Sequence, residues 1–163
     1  MIFNRTGKIV DDLYMVGPSA MSVYLLDGEK PAIFDAGLTF FGNIYTAGIR
    51  EIIGNRELHY CFLSHSHFDH CGSVCILKRN FPGLKVAASE NAKNVLARPN
   101  AIKLMRNLTQ AAEPLAQSIG IELAEFDRYE PFEVDLTLKN GDFIELSPKL
   151  TVQVIETPGH TRD

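Results

Sequence analysis

No stretch of this 163-residue chain is apolar for long enough to cross a bilayer, so a membrane-spanning role is not expected. Cysteine is scarce. The three present, Cys61, Cys71 and Cys75, are odd in number and crowded together, which makes a poor disulfide framework and fits a reducing cytoplasm. Excess positive charge is lacking as well, since the formal net charge is −4. Composition therefore carries no footprint for nucleic acid, which is not expected as a partner, although a metal site could still hold one. Residues 1–8 lack the apolar core and small-residue cleavage site of a secretory signal. Asn107-Leu108-Thr109 matches a glycosylation acceptor and, without a signal, reads as chance. Repeats, low-complexity tracts and linkers are also absent, so a single domain over residues 1–163 is expected, large enough to bury a core.

What is present alternates between two periodicities. Residues 21–26 are apolar and β-rich, Asp27-Gly28 signals a turn, and residues 32–34 resume an apolar run that ends in Asp35-Ala36-Gly37. Tyr45, Ile49, Ile52 and Ile53 share one face of a helix that Gly54-Asn55 closes. Residues 60–63 are too short for a helix and read as a buried strand. A helix from Gly72 onward, with Val74, Leu77 and Phe81 on one face, stops at Pro82-Gly83, and residues 84–88 form another strand. Ser89 caps a helix over residues 91–96. A longer helix is expected over residues 101–119, with Leu108, Ala112, Leu115 and Ile119 on its packed face and a break or kink at Pro114. Residues 132–138 and 143–146 flank Asn140-Gly141 and predict a hairpin, and residues 150–155 predict a last strand. Alternating strands and helices make the class α/β.

Four of the five histidines fall in two short stretches: His65-Ser66-His67-Phe68-Asp69-His70 and Thr157-Pro158-Gly159-His160. His65 and His67 are two residues apart, so in extended backbone they point to the same side, whereas on a helix they would diverge. The cluster therefore belongs at the end of the 60–63 strand, with Asp69 and His70 following as the chain bends into a helix. Imidazoles with a carboxylate suit zinc, iron or manganese, and the lack of paired thiolates argues against a closed structural zinc site. His59 has no such partner and reads as structural. Cys71 and Cys75 would share a helix face. They read as small fillers of a helix–sheet contact, with ligation by Cys71 as the sharper alternative.

The pattern His65-x-His67-x-Asp69-His70 resembles the signature of the metallo-β-lactamase superfamily. Asp35, at a strand end, resembles that family's first motif, and Thr157-Pro158-Gly159-His160-Thr161 its third. The resemblance implies an αββα sandwich of two similar halves with metals at one edge of the sheets. It implies His65, His67 and His160 on a first metal, Asp69 and His70 on a second, and Asp35 behind them orienting a ligand. The family's fourth and fifth motifs, an aspartate bridging the metals and a further histidine, would lie past the third. Only Thr161, Arg162 and Asp163 follow His160. The expectation is thus the N-terminal half of the sandwich with its C-terminal half missing, and metal held weakly or at one site only.

By the same resemblance the chain is a metal-dependent hydrolase of a small-molecule ester, thioester or lactone. A metal-activated hydroxide attacks, and Asp69 orients it or takes its proton. Zinc is the expected ion, with iron or manganese as alternatives. Competing readings are an inactive fragment and an iron-dependent oxidoreductase like the sulfur dioxygenases. Flavodiiron proteins carry a glutamate where His67 stands, so the chain departs from them, and the missing signal argues against a secreted β-lactamase. Leu104, Met105 and Leu108 either line a substrate pocket or pack as core. A sheet face built for a partner sheet predicts a homo-oligomer or swapped dimer.

Overall fold

The computed structural model describes residues 6–118, 120–122 and 128–163. Seven strands form one sheet in chain order: β1 (Gly7–Val10), β2 (Leu13–Val16), β3 (Val23–Leu26), β4 (Ala32–Phe34), β5 (Tyr60–Phe62), β6 (Lys85–Ser89) and β7 (Leu136–Leu138). The first four are antiparallel, and β4 to β7 run parallel. Parallel neighbours require crossovers, and helices supply them. The β4–β5 crossover contains α1 (Gly42–Ile53); β5 and β6 are joined through α2 (Phe68–Cys71) and α3 (Val74–Asn80); α4 (Glu90–Leu96) and α5 (Pro99–Ser118) follow β6.

Strand alternation splits the sheet's two faces. Ile33, Cys61, Val86 and Ala88 point to the helices and pack with Tyr45, Ile49 and Ile53 of α1 and with Val74, Leu77 and Phe81 from the α3 region. Ala32, Phe62 and Ala87 point the other way and pack with Leu146. Leu146 lies on β8 (Phe143–Ser147), which pairs with β9 (Leu150–Gln153) as a separate two-stranded sheet. Ile144, Leu150 and Val152 complete that contact, so a hairpin covers the middle of the second face. Tyr24 on β3, beyond the hairpin, is exposed. No helix of the described residues is long and apolar enough to cross a membrane.

Three expectations need correction. The predicted hairpin across Asn140-Gly141 is not formed. The turn itself exists, with Asp142 N–H donating to Lys139 O at 3.0 Å, but the arms join different sheets. Asp135 decides the outcome. Its carboxylate accepts from Val86 N–H at 2.7 Å and pairs with Lys78 at 2.9 Å, which holds β7 beside β6. Second, α5 is not broken at Pro114 but continues to Ser118. Pro114 is on the solvent side, and Gln110, whose carbonyl it leaves unbonded, is exposed as well, so water can satisfy that oxygen. Third, the packed face of α5 is Met105, Thr109, Ala112 and Ala116, while Leu104, Leu108 and Leu115 are exposed. Ile119 lies outside the described residues. The sequence reads as strands joined by turns over the first third of the chain but sets no bounds for β1 and β2.

Candidate metal centre

The centre is built at the carboxyl ends of β4, β5 and β6, where parallel strands place their following loops side by side. Asp35 follows β4, Ser64 lies just past β5, and Ser89 ends β6. Asp35 occupies the left-handed region at φ 60°, a conformation aspartate tolerates better than most residues. Its backbone N–H donates to Phe62 O at 2.8 Å. Its carboxylate therefore lies over the end of β5.

The chain after β5 bends at Ser64 and His65, is extended again at His67, and enters α2 at Phe68. His65 and His67 project to one side, with ring centroids 4.5 Å apart. His160 arrives from the segment after β9, its ring 5.2 Å from His65 and 5.0 Å from His67. One ligand nitrogen from each of the three lies within 4.8 Å of the others. The arriving segment is clamped by three hydrogen bonds. Ser66 N–H donates to the Asp163 carboxylate at 2.8 Å, Ser89 Oγ donates to Asp163 O, and Asn91 Nδ2 donates to Arg162 O at 2.9 Å.

Asp69 and His70 sit on α2 as a neighbouring pair, with Asp69 Oδ2 3.8 Å from His70 Nε2. The His70 ring is 4.0 Å from that of His65, centroid to centroid. Among the described residues, the only metal-capable group of three or more is the histidine trio, so this pair stands beside it as two donors. The Asp35 carboxylate accepts from His70 Nδ1 at 2.9 Å, from Ser64 N–H at 2.8 Å and from Ser64 Oγ at 2.9 Å. Cys71 is fully buried in the core, burial pushes its thiol up to about 12, and it is no part of the histidine group. Cys75 faces the Glu130 carbonyl at 3.1 Å. His59 precedes β5, at the end opposite the cluster, with Nδ1 3.1 Å from Glu57 O.

His65 is buried, and its Nε2 has no hydrogen-bond partner among the described residues. A buried polar atom left unpaired is costly, and an imidazole nitrogen aimed at two others is what a cation would satisfy. Burial holds the His65 imidazole below its ordinary value. The charges of His70 and His67 act the same way, against Asp35 and Asp163. His70 is raised, chiefly by its hydrogen bond to Asp35, with burial opposing and the charges of Asp35 and Asp69 reinforcing. The donor set fits a zinc, iron or manganese ion at the trio.

The family model of the metallo-β-lactamase superfamily matches residues 16–163. This chain belongs to that superfamily. Solved superfamily structures share the fold. BJP-1, a subclass B3 metallo-β-lactamase of Bradyrhizobium japonicum, gives a TM-score of 0.70 at 22% identity over 98% of this chain and 53% of that one. A Cronobacter sakazakii metallo-β-lactamase with a HARLDQ motif gives 0.71 at 24% identity over 96% and 54%. The flavo-diiron protein FprA2 of Clostridium acetobutylicum is 28% identical over 103 residues, 53% of this chain and 26% of that protein. The chain thus spans about half the length of these solved structures and about a quarter of the flavo-diiron protein.

Ser64 and Asp163 escaped the sequence reading. Ser64 precedes the histidine pattern, and a lone serine has no spacing that marks it. Its part emerges only when β4 and β5 lie parallel and bring Asp35, 29 positions away in sequence, within hydrogen-bond reach.

Proposed function

We propose that this chain is the metal-binding part of a metal-dependent hydrolase acting on an ester, thioester or lactone. The observation that carries the reading is the buried His65 Nε2, without a partner among the described residues, in a ring 4.5 Å from that of His67 and 5.2 Å from that of His160. In this reading His65, His67 and His160 hold one ion, zinc for preference. Asp69 and His70 are the available donors to a second, and Asp35 orients His70. A bound divalent ion supplies a water whose pKa is lowered to about 7 and a Lewis acid for the acyl oxygen. The chain's own part is geometric. The clamp on residues 162–163 holds His160 in place, and Asp69, half exposed beside His70, orients the attacking water and takes its proton.

A panel of ester, thioester and lactone substrates with added zinc, manganese or iron tests the proposal. Turnover that disappears in His67→Ala supports it, and no turnover with any metal rejects it for this chain. The similarity to a flavo-diiron protein favours a second reading, an iron-dependent oxidoreductase. Iron retained by protein made under iron-rich, anaerobic conditions, with no hydrolysis, would select that one.

The two imidazoles with shifted pKa values make a pH prediction. Protons compete with metal for imidazole nitrogen. His70, raised above 6.5, keeps its proton to higher pH, and His65, lowered below 6.5, gives its proton up at lower pH. In a cobalt titration followed by visible absorption, falling pH is expected to empty the Asp69–His70 position before the histidine trio. Release in the opposite order contradicts the assignment. The metal-free fold follows the same signs. The His65 contribution to stability is full above 6.5 and lost as pH falls through its lowered folded value. The His70 contribution is full below 6.5 and lost as pH rises through its raised one.

A further inference from the structure

We infer that Ser64 is a positioning residue whose single hydroxyl relays the Asp35 carboxylate to His65, so that one carboxylate orients an imidazole at each of the two metal positions. The inference rests on the proposed function only in what the imidazoles face. The relay itself follows from counting protons.

A serine hydroxyl has one proton to give and two lone pairs to accept with, while an ionised carboxylate only accepts. Ser64 Oγ lies 2.9 Å from Asp35 Oδ2, and its proton must sit between them, because two bare oxygens at that distance would repel. Ser64 Oγ also lies 2.9 Å from His65 Nδ1. With the hydroxyl proton already committed, the proton in that second contact belongs to His65 Nδ1. His65 is thereby fixed as the Nδ1–H tautomer, and its lone pair is on Nε2, the buried atom with no partner. His70 meets the same carboxylate oxygen directly, Nδ1 to Oδ2 at 2.9 Å, so it too carries its proton on Nδ1 and turns Nε2 outward. A looser approach of 3.4 Å between Ser64 Oγ and His70 Nδ1 closes the cluster.

Ser64 is itself pinned at both ends. Its N–H donates to Asp35 Oδ1 at 2.8 Å, and its neighbour Leu63 donates to Ala87 O at 2.9 Å in continuation of β5. The backbone that carries the hydroxyl is therefore held in place beside Asp35. An imidazole whose far nitrogen is hydrogen-bonded is held in one tautomer and orientation and is more basic toward a metal. His65 receives this support at one remove through Ser64, and His70 receives it directly.

The experiment is a long-range nitrogen–proton correlation spectrum of the metal-free protein, which reads each imidazole's tautomer. It is paired with zinc affinity by competition against a chromogenic chelator, for wild type, Ser64→Ala and Ser64→Thr. Wild type is expected to show His65 as Nδ1–H. Folded Ser64→Ala should lose that preference and bind zinc roughly 10–100-fold more weakly, the range for a support of this kind. Ser64→Thr, which keeps the hydroxyl, should restore both. A purely structural serine would lower the melting temperature of the alanine variant and leave the tautomer of the folded protein unchanged. Wild-type His65 found as Nε2–H overturns the inference whether or not zinc binds, and this needs no variant to fold. Folded Ser64→Ala with an Nδ1–H His65 and wild-type zinc affinity overturns it as well. Wild type with the Nδ1–H tautomer but no zinc binding supports the relay and rejects the hydrolase reading.

Discussion

His160→Ala is expected to leave the fold standing and to empty the histidine trio. His160 is exposed and outside both core clusters, so removing its ring creates no cavity. The clamp that brings its segment in uses Ser66, Ser89 and Asn91 on Arg162 and Asp163, and the substitution touches none of them. What remains at the trio is His65 and His67, two imidazoles from three consecutive residues. The loss of affinity should exceed the roughly 10–100-fold that removal of an outer-shell support costs. Hydrolysis should fall below detection with it. Zinc content after dialysis, the melting temperature and turnover are the measurements, and His59→Ala is the control. Among the described residues the His59 ring meets only the Glu57 carbonyl in a hydrogen bond, so its removal should leave metal content unchanged. Metal retained at wild-type levels in His160→Ala would remove the trio from the argument and the hydrolase proposal with it.

The trio was legible from sequence because two of its members obey a local rule. Residues two apart on extended backbone share a side, and His65 and His67 do. His160 was legible only through its motif, since no spacing rule connects it to residues nearly a hundred positions earlier. The elements read well wherever one short-range signal decided them. The periodic faces of α1 and α3 are buried as expected, and Ser89 caps α4 by accepting from Ala92 N–H at 2.9 Å.

The misreadings share a cause, which is competition between a local signal and a distant partner. Asn140-Gly141 is a genuine turn, but a turn does not say which sheet each arm will join. That was decided by Asp135 meeting Lys78 and Val86 from another part of the chain. On α5 the alternatives were two adjacent stripes. The one carrying Leu108 and Leu115 is the more hydrophobic, yet Met105, Thr109 and Ala116 face the core. Strands β1 and β2 are joined by a tight turn with Asp11 in the left-handed region at φ 42°. Each strand is only four residues long, too short for a periodic signal of its own.

Gly72→Ala is expected to loosen α2 and unsettle the Asp69–His70 pair. Gly72 follows α2 with ordinary helical backbone angles, so the difficulty is space and not conformation. A Cβ there would lie 2.7 Å from Phe68 O, 2.7 Å from Thr39 N and 2.8 Å from Gly37 O, all backbone atoms that no rotamer can move aside. The same contact holds α2 to the turn after Asp35. Gly72 N–H donates to Gly37 O at 2.8 Å, Ala36 N–H donates to His70 O at 2.6 Å, and Thr39 Oγ1 donates to Gly72 O at 3.1 Å. Relieving the clash means prying α2 away from that turn, which strains these bonds and displaces Asp69 and His70 relative to Asp35. Overpacking of this kind costs about 1–3 kcal/mol. Urea unfolding is expected to show a loss toward the upper end of that range. Metal at the Asp69–His70 position should weaken more than metal at the trio, whose histidines stand ahead of the helix or on another segment. Gly83→Ala is the matched control. Its Cβ would meet only Glu57 Oε2 at 3.7 Å, an ordinary contact, and its stability should stay near wild type. If the two variants unfold at the same urea concentration, α2 is not packed against the Asp35 turn, and the placement of Asp69 and His70 that follows from that contact is wrong.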